Sequence, residues 1–398
     1  MPAAIAAPAP STVIISDGGL RAWLTVLGST AAVTASFGVI NSIGTFQSYL
    51  ASHQLRTFTE RDVGWIPAVN IFLCLFLGVQ FGPLFDHYGP RLIMASASVV
   101  YFAGMLGMSF LDCGDQSPPL SASSSAASTP VPWYLDTGDP TNGGCTAAGR
   151  TYALLMLTWG VLCGAAAAAL QTTSLAVTAH WFDRRRGLAA GIVYAGSSAG
   201  GVAFPLLMRE TLPTLGWGWS VRIVAFIVMG LLAVANVCIR GRHRELRSIA
   251  ATNGTLWKDG KTSVLDLSCF RDMRFLWLTL GIAMFEFVVS AAVGMLPSWA
   301  KSSGFDQENA FAFLAVYNAG SLVGRIVAGI VSDRLGALNT VMGVLVMSIS
   351  IIYGLWIPVT TERLPLFYIF AVTFGTTTGS IMSMAPAHIS TPVFTRAS

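Results

Sequence analysis

The chain has 398 residues, of which 54% are hydrophobic and only 11% are charged, whereas soluble domains carry about 25% charged residues. Its formal net charge of +4 does not come from a basic stripe with interleaved aromatic residues, which argues against a nucleic-acid partner. The composition predicts an integral membrane protein with the lipid bilayer as a partner. Because no basic region precedes an apolar one at the N-terminus, we expect no cleaved signal peptide.

Apolar segments long enough to cross a bilayer core, about 20 residues each, recur along the chain. The first group precedes a long polar stretch and lies at 22–50, 63–84, 91–111, 151–179, 187–208 and 219–239. The second group follows that stretch and lies at 275–299, 309–331, 338–357 and 364–385. Since Lys and Arg are enriched in cytoplasmic loops, the basic loops place the N-terminus inside the cell.

These segments predict an all-α membrane protein with about ten transmembrane helices. The expected order is a cytoplasmic N-terminal segment at 1–21, a six-helix bundle at 22–239, a cytoplasmic central loop at 240–274 and a C-terminal bundle with four helices at 275–398. A long outer loop at 112–149 interrupts the first bundle, and its Ser-, Pro- and Gly-rich composition is typical of a poorly ordered segment.

The loops after the second and eighth segments share one pattern, an aspartate at a helix end with a glycine and an arginine close by. The residues concerned are Asp86, Gly89 and Arg91 in the first copy, and Asp333, Arg334 and Gly336 in the second. The glycine permits a tight turn, and the charged pair can latch neighbouring helices. Either copy alone is typical of an ordinary polar turn, but the recurrence favours two related halves.

The repeated loop resembles the signature between helices 2 and 3 of the major facilitator superfamily. Three other stretches resemble its monocarboxylate porter family, especially fungal-type members: DGGLRAW from residue 17, HWFDRRRGLAAG from residue 180 and GSSAGG from residue 196. The resemblance implies two six-helix bundles, of which the second lacks its last two helices here. The three arginines of the second stretch, Arg184, Arg185 and Arg186, are expected to anchor the loop near anionic headgroups or to act as a conformational latch.

The resemblance implies a secondary active transporter that moves a small organic anion or monocarboxylate-like metabolite by alternating access. Efflux of an acidic secondary metabolite is one alternative, and a truncated membrane protein without transport is another. The sequence NAGSLVGR resembles the family's helix with a substrate-binding arginine, which would make Arg325 the anion-binding residue. Its guanidinium can hold a carboxylate through charge-assisted hydrogen bonds. Otherwise Arg325 extends to the cytoplasmic surface or pairs with Asp333.

Other polar residues within the segments are candidates for the same site. Desolvation favours the neutral acid of Glu286, which suits proton coupling, although a buried hydrogen-bonding role or a pair with an arginine fits as well. Asn41 and Asn318 are predicted to contact substrate, and Gln47, Asn70 and Gln171 could also line a cavity. Each such residue is otherwise typical of interhelical hydrogen bonding. By the resemblance, Asn41 and Ser321 replace a lysine and an aspartate of animal members, which disfavours proton-linked lactate transport.

No Ser/His/Asp order, metal-ligand spacing or phosphate loop rises above chance in this sequence. We therefore expect no enzyme activity, no cofactor and no metal. Because no ATP-binding GxxxxGK[ST] motif occurs, the expected energy source is an ion or substrate gradient. With no retention signal visible at the C-terminus, the plasma membrane is the expected location.

Overall fold

The computed structural model describes residues 18–111, 148–242, 271–273, 276–277, 279–289, 307–357 and 364–389. Most of the predicted outer loop at 112–149 and of the central loop at 240–274 falls outside these ranges. Within them, the regular elements are helices, and they follow the predicted segments in order. The all-α membrane architecture predicted from the sequence is thereby confirmed.

The helices are named here in chain order. The first bundle holds α1, which is Leu20–Asn41 resuming as Ile43–Ser52, α2 at Glu60–Tyr88, α3 at Pro90–Ser109 and α4 at Ala148–Leu155 through Gly164–Ala179. The stretch Arg186–Cys238 contains α5 and α6, which Gly216 separates. The second bundle holds α7 at Thr279–Val289, α8 at Gln307–Leu335, α9 at Ala337–Trp356 and α10 at Leu364–Ile389.

Seven helical stretches of the described chain are long and apolar enough to cross a membrane. One of these, Arg186–Cys238, contains two spans, because Gly216 adopts a φ of 72° that no helix tolerates. The chain is therefore a multi-pass membrane protein. Two predicted segments are not among these stretches. α7 covers the described part of the segment at 275–299, and α10 covers the segment at 364–385.

Local sequence explains how several helices begin and end. Thr59 and Asp62 form a reciprocal capping box at the start of α2. Gly89 joins α2 to α3 with a φ of 76°, and Gly336 joins α8 to α9 with a φ of 84°. The two copies of the repeated loop thus make the same left-handed glycine turn, as the sequence pattern predicts.

The middle of α4 is π-helical over Met156–Cys163. A π-helix shifts the backbone hydrogen-bond register and leaves a carbonyl in need of another donor. Asn70 of α2 supplies it, because its Nδ2 donates to the carbonyl oxygen of Trp159 at 2.6 Å. Asn70 is 2% exposed, so it acts here as an interhelical hydrogen-bond donor, which is one of the two roles predicted for it.

The first bundle is built around α5, which contacts α1 on one face. Gly38 of α1 and Gly200 of α5 meet backbone to backbone, so a methyl group on Gly38 would lie 2.8 Å from the Cα of Gly200. Large buried side chains fill the bundle toward its predicted extracellular end. Phe46 packs there against Trp159 and Trp217, with ring centroids 5.6 Å and 6.1 Å apart. Close glycine packing is common between membrane helices.

The second bundle is joined to the first through α5 and α8. A methyl group on Gly187 would lie 2.6 Å from the carbonyl oxygen of Gly329 in α8. α8 in turn packs on α10 so closely that a methyl group on Gly324 would overlap the carbonyl oxygen of Thr376. The three helices therefore approach at backbone distance, and the site described below lies among them.

Candidate functional site

Arg325 of α8 lies between the two bundles and is only 6% exposed. Its Nη1 donates to the carbonyl oxygen of Tyr194 at 2.6 Å and to the hydroxyl of Ser197, both on α5. Its Nε donates to the carbonyl oxygen of Gly379 on α10 at 3.3 Å. The side chain therefore neither extends to the cytoplasmic surface nor pairs with Asp333, the two alternatives raised by the sequence.

These bonds leave part of the Arg325 guanidinium unused. The group has five N–H donors, and the three hydrogen bonds above account for those on Nε and Nη1. Nη2 donates to no acceptor in the part of the chain that the structure describes. Its two N–H groups can bind an anionic ligand, and burial strengthens such a bond because water screens it less.

Asn41 and Asn318 border the same stretch of α5. Nδ2 of Asn41 donates to the carbonyl oxygen of Ser197 at 3.1 Å. Asn318, which is 3% exposed, donates to the carbonyl oxygen of Gly201 at 3.5 Å and to a carbonyl of its own helix. The structure thus brings Arg325 and these two amides to one face of α5. The Nδ2 groups of both asparagines donate to backbone carbonyl oxygens of that helix.

Glu286 of α7 is half-buried and interacts electrostatically with Arg325, Tyr194 and Tyr317. No direct ion pair joins Glu286 to Arg325 among the described side chains, and the two groups interact at longer range. The Tyr317 hydroxyl shares a 3.0 Å hydrogen bond with Thr378 Oγ1 of α10. The site therefore holds one cation, one carboxyl group and two phenols from three helices, α5, α7 and α8.

The predicted cytoplasmic end carries a contact between the bundles. Asp333 at the end of α8 accepts the backbone N–H of Gly187 at 2.7 Å through Oδ1 and that of Leu188 at 2.9 Å through Oδ2. These are among the first N–H groups of α5, which have no partner inside their own helix. A carboxylate there also interacts favourably with the helix dipole. Asp333 thus caps a helix of the other bundle, while Arg334 and Gly336 remain exposed.

The other predicted gating residues lie on the same side of the protein. Arg186 pairs with Asp183 at 3.2 Å and donates its Nε to the carbonyl oxygen of Phe182 at 2.8 Å. Arg184 and Arg185 are exposed, which fits their predicted place near headgroups. In the first copy of the repeated loop, Arg91 is exposed and Gly89 forms the turn. The side chain of Asp86 lies outside the described part of the chain.

Comparison with known proteins decides the family. The family model described as Major Facilitator Superfamily matches residues 22–397. The chain belongs to the major facilitator superfamily. The MFS-type transporter pytF of Aspergillus terreus is 32% identical over 80% of this chain and 92% of its own length. The aspyridones efflux protein of Emericella nidulans is 29% identical over 96% of this chain and 67% of its own length. The riboflavin transporter MCH5 of Saccharomyces cerevisiae is 26% identical over 93% of this chain and 66% of its own length.

The fold also matches solved structures of this superfamily. The proton:xylose symporter XylE, bound to 6-bromo-6-deoxy-D-glucose, has a TM-score of 0.52 and 16% sequence identity, with 91% of this chain and 82% of that chain covered. This likeness supports the two-bundle arrangement. The chain is therefore a membrane transporter of the major facilitator type.

Sequence reasoning did not single out two residues that this transporter places at the site. Tyr194 and Ser197 of α5 provide the partners of Arg325 and Asn41. A signal was present for Tyr194, because it is the one aromatic side chain in the glycine- and alanine-rich run between Gly187 and Gly201. A large polar residue among small ones on a close-packed helix indicates a side chain with a specific partner.

Proposed function

We propose that this chain exports a small organic anion, most specifically an acidic secondary metabolite, by secondary active transport with alternating access. Membership of the superfamily supports transport as such. The aspyridones efflux protein, similar over nearly the whole chain, favours export of a secondary metabolite over uptake of a simple monocarboxylate. The fungal-type monocarboxylate porter resemblance remains part of the proposal, because it is what suggests an acidic substrate.

The observation that carries the proposal is the state of Arg325. A buried cation is costly unless it is compensated, and here the compensation comes from two backbone carbonyls and a hydroxyl rather than from a carboxylate. The positive charge therefore has no direct counter-ion among the described residues, and Nη2 keeps two N–H groups. An anion between the bundles would supply both the missing charge and the missing acceptors.

The positions of these bonds support the proposed alternating access. Arg325 binds α5 of the first bundle through Tyr194 and Ser197, and Asp333 binds the first turn of the same helix. Rocking one bundle against the other requires both contacts to break. An anion already bound to Nη2 of Arg325 would compensate the guanidinium charge as its bonds to α5 break and would lower the cost of that step, so substrate binding and opening are expected to favour each other.

Proton coupling through Glu286 and a plasma-membrane location belong to the same proposal. Glu286 is half-buried and interacts electrostatically with Arg325. A negative substrate at Arg325 would raise the cost of an ionised Glu286, so binding should favour its protonation. A proton would then accompany the anion through the cycle.

The test is anion counterflow in proteoliposomes, with labelled benzoate and salicylate as probes and benzamide as the neutral control. We expect Arg325→Gln to weaken anion binding by about tenfold to a hundredfold, since hydrogen bonds to a charged group contribute about 1.5–3 kcal/mol each. Arg222→Gln is the matched control, because Arg222 contacts Ser109 and the rings of Phe110 and Trp219 away from the site.

The outcomes separate the possible explanations. If Arg325→Gln transports both acids like the unmodified protein while remaining folded by size-exclusion chromatography, Arg325 is not the anion-binding residue. If the unmodified protein moves neither acid across the membrane, the proposed substrate class is wrong. In that case the alternative of a membrane protein without transport gains support.

A further inference from the structure

We propose that Tyr194, positioned by Gln171, is a second substrate-binding group in this transporter. It would select organic anions that carry another oxygen beside the acidic group, such as 2-hydroxy acids, 2-keto acids and their enols. The inference rests on the proposed function, because it takes Arg325 as the residue that binds the acidic group. It adds a specificity determinant contributed by the first bundle.

The Tyr194 phenol is held in place by residues from two other helices. Its ring lies on α5 and is 4% exposed. Nε2 of Gln171 on α4 donates to the phenolic oxygen at 3.0 Å, and the Gln171 Oε1 lies 3.9 Å from Sγ of Cys74 on α2. Contacts on both ends of the amide fix which end faces the phenol. The phenolic oxygen is therefore occupied as an acceptor.

The phenolic proton has no acceptor in the described parts of the chain. A phenol both donates and accepts, and Gln171 uses only the accepting side. Buried tyrosine hydroxyls usually donate to a partner, because an unused donor away from water is unfavourable. A ligand with a free lone pair would provide that partner.

Tyr194 and Arg325 meet where α5 of the first bundle packs against α8 of the second. The carbonyl oxygen of Tyr194 accepts Nη1 of Arg325 at 2.6 Å, and the two side chains interact electrostatically. Gln171 and Asn41 stay half-buried although their partners Tyr194 and Ser197 are buried. Under the proposal, the ligand lies beside these two partly exposed residues. One donor from each bundle, the Tyr194 phenol and Nη2 of Arg325, would then face it.

This pair of donors has a definite chemical preference. A carboxylate satisfies Nη2 of Arg325, and a neighbouring hydroxyl, keto or enol oxygen accepts the Tyr194 proton. An acid without the second oxygen leaves the phenol unpaired when the site closes around it. A site that loses a buried hydrogen bond discriminates against such a ligand.

The experiment measures binding of salicylate and benzoate to the purified chain in nanodiscs, since these acids differ by one hydroxyl next to the carboxylate. We expect the unmodified protein to prefer salicylate about tenfold, which is the effect of one hydrogen bond of about 1.4 kcal/mol. Tyr194→Phe should remove this preference by weakening salicylate binding about tenfold and leaving benzoate unchanged. The substitution keeps the backbone carbonyl that Arg325 uses.

Tyr101→Phe is the matched control, because Tyr101 is buried and donates its hydroxyl to the carbonyl oxygen of Ser36 within the first bundle. It should leave the salicylate preference intact. Equal loss of both acids in Tyr194→Phe, or no loss of preference, overturns the inference even if Arg325→Gln abolishes binding of both. Unchanged binding in Arg325→Gln excludes Arg325 as the anion-binding residue and overturns the inference with it. No binding of either acid by the unmodified protein overturns the proposed substrate class as well.

Discussion

Asp333 offers the sharpest test of how the two bundles are held together. Its two carboxylate oxygens accept the N–H groups of Gly187 and Leu188, 2.7 Å and 2.9 Å away, at the start of α5. Asp333→Asn keeps one accepting oxygen, replaces the other with a donor that faces an N–H, and removes the charge. Both the second hydrogen bond and the attraction to the helix dipole are then lost.

The size of the effect follows from the exposure of Asp333. A hydrogen bond to a charged group contributes about 1.5–3 kcal/mol and a helix-end charge about 0.3–1 kcal/mol when exposed. Asp333 is exposed, so hydrogen bonds to water offset part of this loss. We expect Asp333→Asn to destabilise the closed contact by about 1–2 kcal/mol. A difference of that size shifts the equilibrium between closed and open contact roughly 5–30-fold.

Hydrogen exchange at the backbone amides of Gly187 and Leu188 reports this equilibrium directly, because these are the two N–H groups that Asp333 protects. We expect Asp333→Asn to accelerate exchange in the peptide covering them about tenfold. The control is Asp183→Asn, which removes a nearby charge that pairs with Arg186 within the first bundle. Exchange that is unchanged in Asp333→Asn, or accelerated equally by both substitutions, would refute a specific contact between the bundles.

Two further predictions concern packing. Gly324→Ala should lower the melting temperature of the detergent-solubilised protein by several degrees, since a methyl group there overlaps the carbonyl oxygen of Thr376, whereas Gly343→Ala, with open space around it, should not. Asn70→Leu should destabilise the protein by about 1–3 kcal/mol because the Trp159 carbonyl loses its donor; an unchanged melting temperature in fluorescence-detected chromatography would contradict that role.

Much of the fold was predictable because a bilayer imposes a simple length requirement on each span. The break between α5 and α6 and the turns at Gly89 and Gly336 fall where polar or glycine-containing sequence interrupts apolar segments. The break in α1 at Ser42 and the π-helical part of α4 at Met156–Cys163 were not predicted. The bonds at the first are local, from the Ser42 hydroxyl to the Gly38 carbonyl, and the second has its Trp159 carbonyl bound by Asn70 of another helix. Hydropathy carries no information about either kind of bond.

The candidate site was predictable in part for the same reason. A charge within an apolar segment indicates a function, which identified Arg325 and Glu286. Two of the three partners of Arg325 could not be predicted, because they are backbone carbonyls on α5 and α10 that any residue could supply. Asp333 was expected to form a latch, but its partners are also backbone groups, the N–H groups of α5. Sequence patterns describe side chains, whereas this site depends on backbone atoms.

The position of α5 explains why backbone atoms have this role. Where α5 crosses α8, Gly187 and Gly191 bring the two backbones so close that a methyl group on either would collide with α8. No side chain fits there, so Arg325 and Asp333 can bind α5 only through its carbonyls, its N–H groups and the short Ser197 side chain. Both contacts depend on the same approach of α5 to α8, so separating these helices would break them together. Close packing at α5 therefore accounts for the tight contact between the bundles, and the proposed alternating access requires that this contact open and close again.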